Sequence, residues 1–357
     1  MVFYKKSILN KRKKNTEMKT KKIGKTKIQK KTLQSLKKSN SSYNEFPYYK
    51  NYITKGKLLI DFQKLANYQP IFLKYNPVAK RINKFNNKLI IFKEGYEKNK
   101  KLYQITDYFS QSCRVRCLNN LKSKETPLEF FQKNKDKIYK ELKGNITYSN
   151  ISEYLYQNTK QCTNFNTTVV LSLLKFLNVK RYLDPSAGWG DRLIAAIAYD
   201  CEYTGVDPSN CMNPIYKQMI KELVPTSEQS KYEIIKSGFE DAIIKKNHYD
   251  LVFTSPPFFD FELYEKDKGQ SVEKFNTLDR WLSGFLFPLI DKSYQALKIN
   301  GHFGIYISDY TGISFTDEMF KYIREKVKGF KYQGDIHFWT PENEKVIRII
   351  FFWQKIV

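Results

Sequence analysis

The sequence predicts an α/β protein. A mostly parallel sheet is covered by helices on both faces and closed by an antiparallel hairpin, and a smaller, mostly helical region precedes it. Three observations carry this expectation. From about Thr163, short apolar strands alternate with helices, the pattern of a parallel sheet. The two final apolar runs, Ile336–Trp339 and Val346–Trp353, flank the polar stretch Thr340–Lys345, as in a hairpin. Before residue 159, apolar residues fall near helical spacing instead.

In chain order, Leu58–Ala66 and Pro127–Leu142 read as helices. The second carries Leu128, Phe131, Ile138 and Leu142 near helical spacing. Leu89–Phe92 reads as a short strand. Thr167–Leu177 is an apolar helix, and strand Arg181–Leu183 leads through a glycine-containing turn into helix Asp191–Tyr199. Strand Tyr203–Val206 ends at Asp207 and is followed by helix Asn213–Leu223. Tyr232–Ile235 and Leu251–Phe253 are further strands, Trp281–Leu297 is helical, and strand Gly304–Ser308 ends at Asp309. Three segments are expected: a disordered basic tail (1–40), an N-terminal extension (41–158) and a main domain (159–357).

The 357 residues are 41% hydrophobic, ample for a buried core, and carry a net charge of +26. Between Met1 and Ser39 there are fifteen basic residues against one acid, Glu17. So charged a segment cannot offset its ordering entropy by burial, so disorder is expected. The rest of the chain is still about +12, and phosphate backbones are the natural counterpart through counterion release. A solubilising tail or a nuclear-import signal accounts for the tail equally well. Five cysteines without C-x-x-C spacing, and only His248, His302 and His337, point to a reducing intracellular compartment and away from structural zinc. Nucleus and cytoplasm are not separated by this. No apolar run reaches about 18 residues, and no signal-peptide stretch opens the chain, so no membrane partner is expected.

Two stretches carry chemistry. In Leu183-Asp184-Pro185-Ser186-Ala187-Gly188-Trp189-Gly190-Asp191-Arg192, a strand ends in an acid, small residues follow, and a helix begins. Gly188 and Gly190 let the backbone turn tightly and approach a ligand. Asp184 stands at the carboxyl end of a strand, where open α/β sheets bind ligands. Asp207 closes the next strand and is placed to accept hydrogen bonds from ribose hydroxyls. A dinucleotide site is the nearest competitor, but it requires a third glycine that is missing here.

The second stretch is Asp250-Leu251-Val252-Phe253-Thr254-Ser255-Pro256-Pro257-Phe258-Phe259. Pro256 and Pro257 remove two amide donors and fix φ, which makes the loop rigid. Such a loop suits an aromatic amine, whose lone pair is delocalised and poorly nucleophilic. The Ser255 hydroxyl and the Pro256 carbonyl can accept the amine hydrogens, and Phe258 offers a ring face for stacking. Covalent attack on a base ring carbon would need a cysteine nucleophile, usually after proline, and no proline here precedes cysteine. A base in a duplex must leave the stack to reach this loop.

The first stretch, with Asp207 behind it, resembles the first two motifs of class I S-adenosylmethionine-dependent methyltransferases. That likeness implies a Rossmann-like, seven-stranded, mostly parallel sheet with a C-terminal antiparallel hairpin. It also implies S-adenosyl-L-methionine as cofactor, bound by Asp184, Ser186, Ala187, Gly188 and Gly190, with Asp207 on the ribose. Phe239, Glu240 and Asp241 fall where such enzymes grip the adenine, either acid being the contact. Thr254–Phe258 is similar to the fourth motif of the amino-methyltransferases of nucleic-acid bases, in the Ser-Pro-Pro-Phe form. The resemblance runs from about Cys162 to the C-terminus, and Asn164–Thr168 occupies the place of the tenth motif, which contacts the methionine end through residues such as Thr168. Ile105–Ser110 with Arg114, and Phe259–Tyr264, resemble phage and large-virus DNA methyltransferases.

The implied reaction is methyl transfer to an exocyclic amino nitrogen of a DNA base, cytosine before adenine, with no metal. An RNA base methyltransferase and a catalytically silent nucleic-acid-binding subunit are the alternatives. A basic body argues against a protein glutamine substrate. The sheet's last strands are expected to use most of the residues after Ser255, leaving no obvious space there for a recognition domain, so target recognition is expected to fall to 41–158, to the loop Phe259–Asn276, or to a protein partner.

Overall fold

The structure is a computed structural model, and it describes residues 46–73, 90–93, 96–143, 146–264, 269–339 and 348–357. The expected tail, Leu89 and the Thr340–Lys345 connection lie outside the described residues.

Eleven strands are described: β1 (Phe72–Leu73), β2 (Ile90–Lys93), β3 (Leu118–Asn119), β4 (Arg181–Asp184), β5 (Glu202–Val206), β6 (Tyr232–Ile235), β7 (Tyr249–Thr254), β8 (Glu262–Leu263), β9 (Leu297–Tyr306), β10 (Phe330–Trp339) and β11 (Arg348–Lys355). Nine form one sheet in the order β1-β2-β10-β11-β9-β7-β4-β5-β6. From β9 to β6 every pairing is parallel, whereas β9–β11 and β10–β11 are antiparallel. The chain runs outward from β4 through β5 to β6, then returns to the other side of β4 with β7. That reversal makes a switch point between β4 and β7, where the crevice at the strands' carboxyl ends can hold a ligand.

Both faces of the parallel part are buried, as an all-parallel arrangement requires. Along β7, Leu251 and Phe253 enter one core with Val169, Leu193 and Met219, while Val252 enters the other with Leu289, Phe303 and Met319. Helices Thr167–Leu177, Asp191–Tyr199 and Met212–Leu223 supply the first core, and Phe287–Ala296 and Thr316–Lys326 the second. The α/β reading with a mostly parallel sheet and a closing hairpin therefore holds. Two further strands raise the expected seven to nine, because β2 pairs in parallel with β10 and β1 with β2.

Those two strands come from the region expected to be mostly helical. Its helix Pro127–Glu141 starts where Thr126 and Glu129 form a reciprocal capping box with Pro127 in the first turn. That helix and Tyr148–Thr159 enclose a small core of Phe46, Val115, Phe131, Ile138, Ile151 and Leu155. Helices Lys55–Ala66 and Tyr96–Arg114 instead pack into the first core of the main sheet. Residues 46–357 form one compact unit.

Several boundaries differ from the sequence reading. The helix expected over Trp281–Leu297 is Leu278–Trp281, a π-helical turn Leu282–Leu286, then Phe287–Ala296, and Leu297 already opens β9. Strand β9 begins seven residues before Gly304 and stops short of Ser308. Four of the five cysteines, expected from a reducing compartment, are paired as disulfides Cys113–Cys211 and Cys117–Cys162, leaving Cys201 free and buried. Among the described residues no helix is long and apolar enough to cross a membrane.

Candidate active site

The carboxyl ends of β4 and β7 are adjacent, with Leu183 paired to Val252 in parallel register. The loops leaving those ends open into one cavity of about 500 Å³. Gly188 and Pro256 both line it.

On the β4 side, Gly188 and Gly190 adopt positive φ of 58° and 87°, the left-handed region that favours glycine. The Gly188 amide donates to Asp207 Oδ2 at 2.9 Å, and the Ser209 amide to Asp207 Oδ1 at 2.9 Å. The Asp207 carboxylate is thus fixed at the cavity wall, and burial raises its pKa to about 6 against the pull of those two amides. Ser186 and Phe239 also line the cavity. Glu240 lines it too, whereas the Asp241 side chain is 65% exposed and turned away; Lys274 bridges both carboxylates, at 2.5 and 2.7 Å. Of the two acids, Glu240 is the one that lines the cavity.

Four other expected cofactor residues lie behind the wall. Asp184 is fully buried, and four donors occupy it: Arg192 Nε at 2.8 Å, Tyr203 Oη at 3.0 Å, Thr254 Oγ1 at 3.0 Å and the Ser186 amide at 3.3 Å. It positions the loop rather than facing the cavity. Ala187 is buried, its amide donating to the Val206 carbonyl. Gly190 caps helix Asp191–Tyr199, where a Cβ would sit 2.6 Å from the Met219 side chain. Thr168 is buried within its helix with its hydroxyl on Tyr103, and the cavity is met instead by its neighbours Asn164 and Phe165.

On the β7 side, Ser255, Pro256, Pro257 and Phe258 all line the cavity. Among the described residues nothing engages the Ser255 hydroxyl or the Pro256 carbonyl. The Phe258 ring is half-buried, with Tyr306 and Phe261 at 5.9 and 6.3 Å between centroids. Immediately after it Phe259 takes a positive φ of 48°, unusual for an aromatic, and buries its ring against Trp281.

The two motifs are bonded to each other. Thr254, the residue before Ser255, donates to Asp184 of the glycine loop. Tyr203 and Arg192 were not singled out by sequence reading, although Arg192 closes the quoted motif, and Thr254 was noted only for its likeness to the fourth motif and not as a partner of Asp184. Their polar character on otherwise apolar buried strands and a helix is the signal that could have found them.

The N-terminal region reaches the site as well. Asp107 pairs with Arg114 and accepts from Asn164 Nδ2 at 3.0 Å, while Arg114 donates to the Cys162 carbonyl at 3.0 Å. Strand β3 pairs antiparallel with β8, and Asn120 Nδ2 donates to the Asp260 carbonyl at 3.1 Å. Cys117, Cys162 and Glu262 lie close together, but the bond between the two sulfurs removes both thiolates as metal ligands.

No protein-family model matches the sequence, and no curated protein does. Solved structures with similar geometry include the Burkholderia thailandensis 1,6-didemethyltoxoflavin-N1-methyltransferase with bound 1,6-didemethyltoxoflavin and S-adenosylhomocysteine. It has 11% identity and a TM-score of 0.38, over 54% of this chain and 78% of that one. TrmN from Thermus thermophilus is similar over 53% of this chain and 49% of its own, with 14% identity and a TM-score of 0.37. An rRNA methylase from Streptococcus thermophilus has 11% identity and a TM-score of 0.35, over 54% and 98%. Likeness this low transfers no substrate, and the reading of the site rests on its own geometry.

Proposed function

We propose that the chain is an S-adenosylmethionine-dependent methyltransferase acting on the exocyclic amino nitrogen of a nucleic-acid base. The observation that carries the reading is the single cavity onto which the Gly188 loop and the Ser255–Phe258 loop both open. The donor and acceptor set fits the cofactor. Asp207 offers a carboxylate to ribose hydroxyls and Glu240 an acceptor to adenine, while the Phe239 ring is buried in the core and only its residue edge meets the cavity. Gly188 leaves backbone room beside them.

S-adenosylmethionine supplies an electrophilic methyl group on a sulfonium. Ser255 Oγ and the Pro256 carbonyl accept the two amine hydrogens, which draws the nitrogen toward a tetrahedral geometry. Phe258 holds the base plane by stacking. Bound beside this loop, the cofactor would supply its methyl group to the amine lone pair, and Ser255 Oγ would take the surplus amine proton and pass it to water.

DNA is the expected polymer, from the Thr-Ser-Pro-Pro-Phe likeness, with cytosine ahead of adenine. Incubation with labelled cofactor and matched DNA, RNA and protein pools, followed by nucleoside mass spectrometry, tests this. Label found only in RNA moves the substrate, and label in none of the pools removes the enzymatic reading. Phe258→Ala is expected to slow transfer roughly 5- to 150-fold, from about 1–3 kcal/mol of lost base–aromatic stacking, with cofactor binding retained. Unchanged turnover in that variant rejects the stacking role.

A further inference from the structure

Charged groups line the cavity along the sheet's carboxyl edge, with Glu262 and Asp309 also present on its catalytic half. Following the carboxyl edge, Glu240 comes after β6, Asp207 after β5, the Gly188 loop after β4 and Pro256 after β7. Arg348 stands at the start of β11, which is antiparallel to β9 and so opens at that same edge. From β6 to β11 there are five strand spacings, about 24 Å at ~4.8 Å each. The Asp207 and Glu240 carboxylates lie at one end of this line and the Arg348 guanidinium at the other.

Two lysines join Arg348 on the catalytic half. Lys122 follows β3, which is paired with β8 of the catalytic loop. Lys160 is fastened there by its own carbonyl, which accepts from Asn119 Nδ2 at 2.9 Å. All three cations line the cavity, Lys122 and Arg348 exposed and Lys160 half-buried. Among the described residues, none has a carboxylate within ion-pair distance, in contrast to Lys274, Lys231 and Lys298 elsewhere. Beside them stands Tyr156, 40% exposed, with Lys160 Nζ 5.4 Å from its ring centroid. Cations without a carboxylate partner beside an exposed ring, Lys160 Nζ donating only to Gln157 Oε1 at 3.3 Å, match the pattern that follows a polynucleotide strand, in which cations meet phosphates and rings meet bases.

We propose that Lys122, Lys160 and Arg348 bind the phosphates flanking the target nucleotide, with Tyr156 as a stacking face. The N-terminal region, which supplies Lys122 and Tyr156, is then part of the target-recognition surface. This rests on the methyltransferase reading for the identity of the target base, but the binding track is tested separately. Salt-dependent affinity of the full-length chain for a fluorescent single-stranded DNA is compared with that of Lys122→Ala, Lys160→Ala and Arg348→Ala and of the triple variant. Duplex DNA and RNA of the same sequence form the other arms, and cofactor affinity controls for folding.

Each substitution is expected to flatten the log–log salt slope by about 0.7–0.9. The triple variant is expected to raise the KM for polynucleotide at least tenfold, and Arg348→Lys should restore most of the slope lost with Arg348→Ala. Wild-type slope and affinity in the triple variant overturn the track, as does competition by an acidic peptide but not by polynucleotide. If these residues govern binding yet no polynucleotide is ever methylated, the track stands and the enzymatic reading falls. If transfer proceeds with unaltered KM in the triple variant, the enzymatic reading stands and the track falls.

Discussion

Burial lifts the Asp207 carboxyl from the ordinary 3.8 to about 6, so at neutral pH it is ionised by a small margin. Two backbone amides already occupy it, and ribose hydroxyls would be further donors to the charged form. As pH falls through about 6 the neutral acid accumulates and accepts less well. Cofactor affinity is therefore expected to fall up to ~10-fold per pH unit below that point. Calorimetry between about pH 5 and 8 checks this, and Asp207→Asn should bind weakly with a flattened profile. Folding stability has the opposite slope: the folded chain holds this proton more tightly than the unfolded one, so the contribution present below about 4 is lost as pH rises through about 6. At this scale the sequence exposed the residues with unusual chemistry, such as Gly188, Pro256 and Phe258. It misplaced Asp184, because position at a strand end cannot show that a partner from another strand, Thr254, already occupies the carboxylate.

Strand β8 lies five residues beyond the Pro256–Pro257 pair, and its partner β3 belongs to a region far earlier in the chain. The Asn120 side chain and amide both bond to this loop, at the Asp260 and Phe261 carbonyls. Asn120→Ala removes the side-chain bond but leaves the amide in place. The expected outcome is a fewfold fall in kcat with cofactor affinity unchanged, read from steady-state kinetics and calorimetry; a parallel loss of cofactor affinity would mean a general loss of fold. Strong local patterns were legible at this scale: helices Thr167–Leu177 and Asp191–Tyr199 lie where their apolar spacing put them. The two-residue strands β3 and β8 were not, since they have no periodicity and exist only because each pairs with the other. Helix Tyr96–Arg114 was overlooked because its first half is charged. Its buried stripe of Leu102, Ile105, Phe109 and Cys113 was nonetheless present at helical spacing.

In the whole molecule, the N-terminal region is built into the main domain. Helix Tyr96–Arg114 shares the first core, and two disulfides run from Cys113 and Cys117 to Cys211 and Cys162. Residues 159–357 expressed alone are accordingly expected to bind no cofactor and to lack a cooperative thermal transition; a folded, cofactor-binding fragment would show the region to be dispensable. This organisation was hidden from the sequence because a boundary at a composition change cannot reveal that β2 completes a sheet more than two hundred residues away. The same pairing has a protective side. Ile336–Trp339 of β10 would otherwise present a bare row of amide and carbonyl groups, a template for adhesion to any neighbouring chain. Loss of β1 and β2 would leave the protein sticky along that border, so oligomers growing from β10 are the form its aggregation should take.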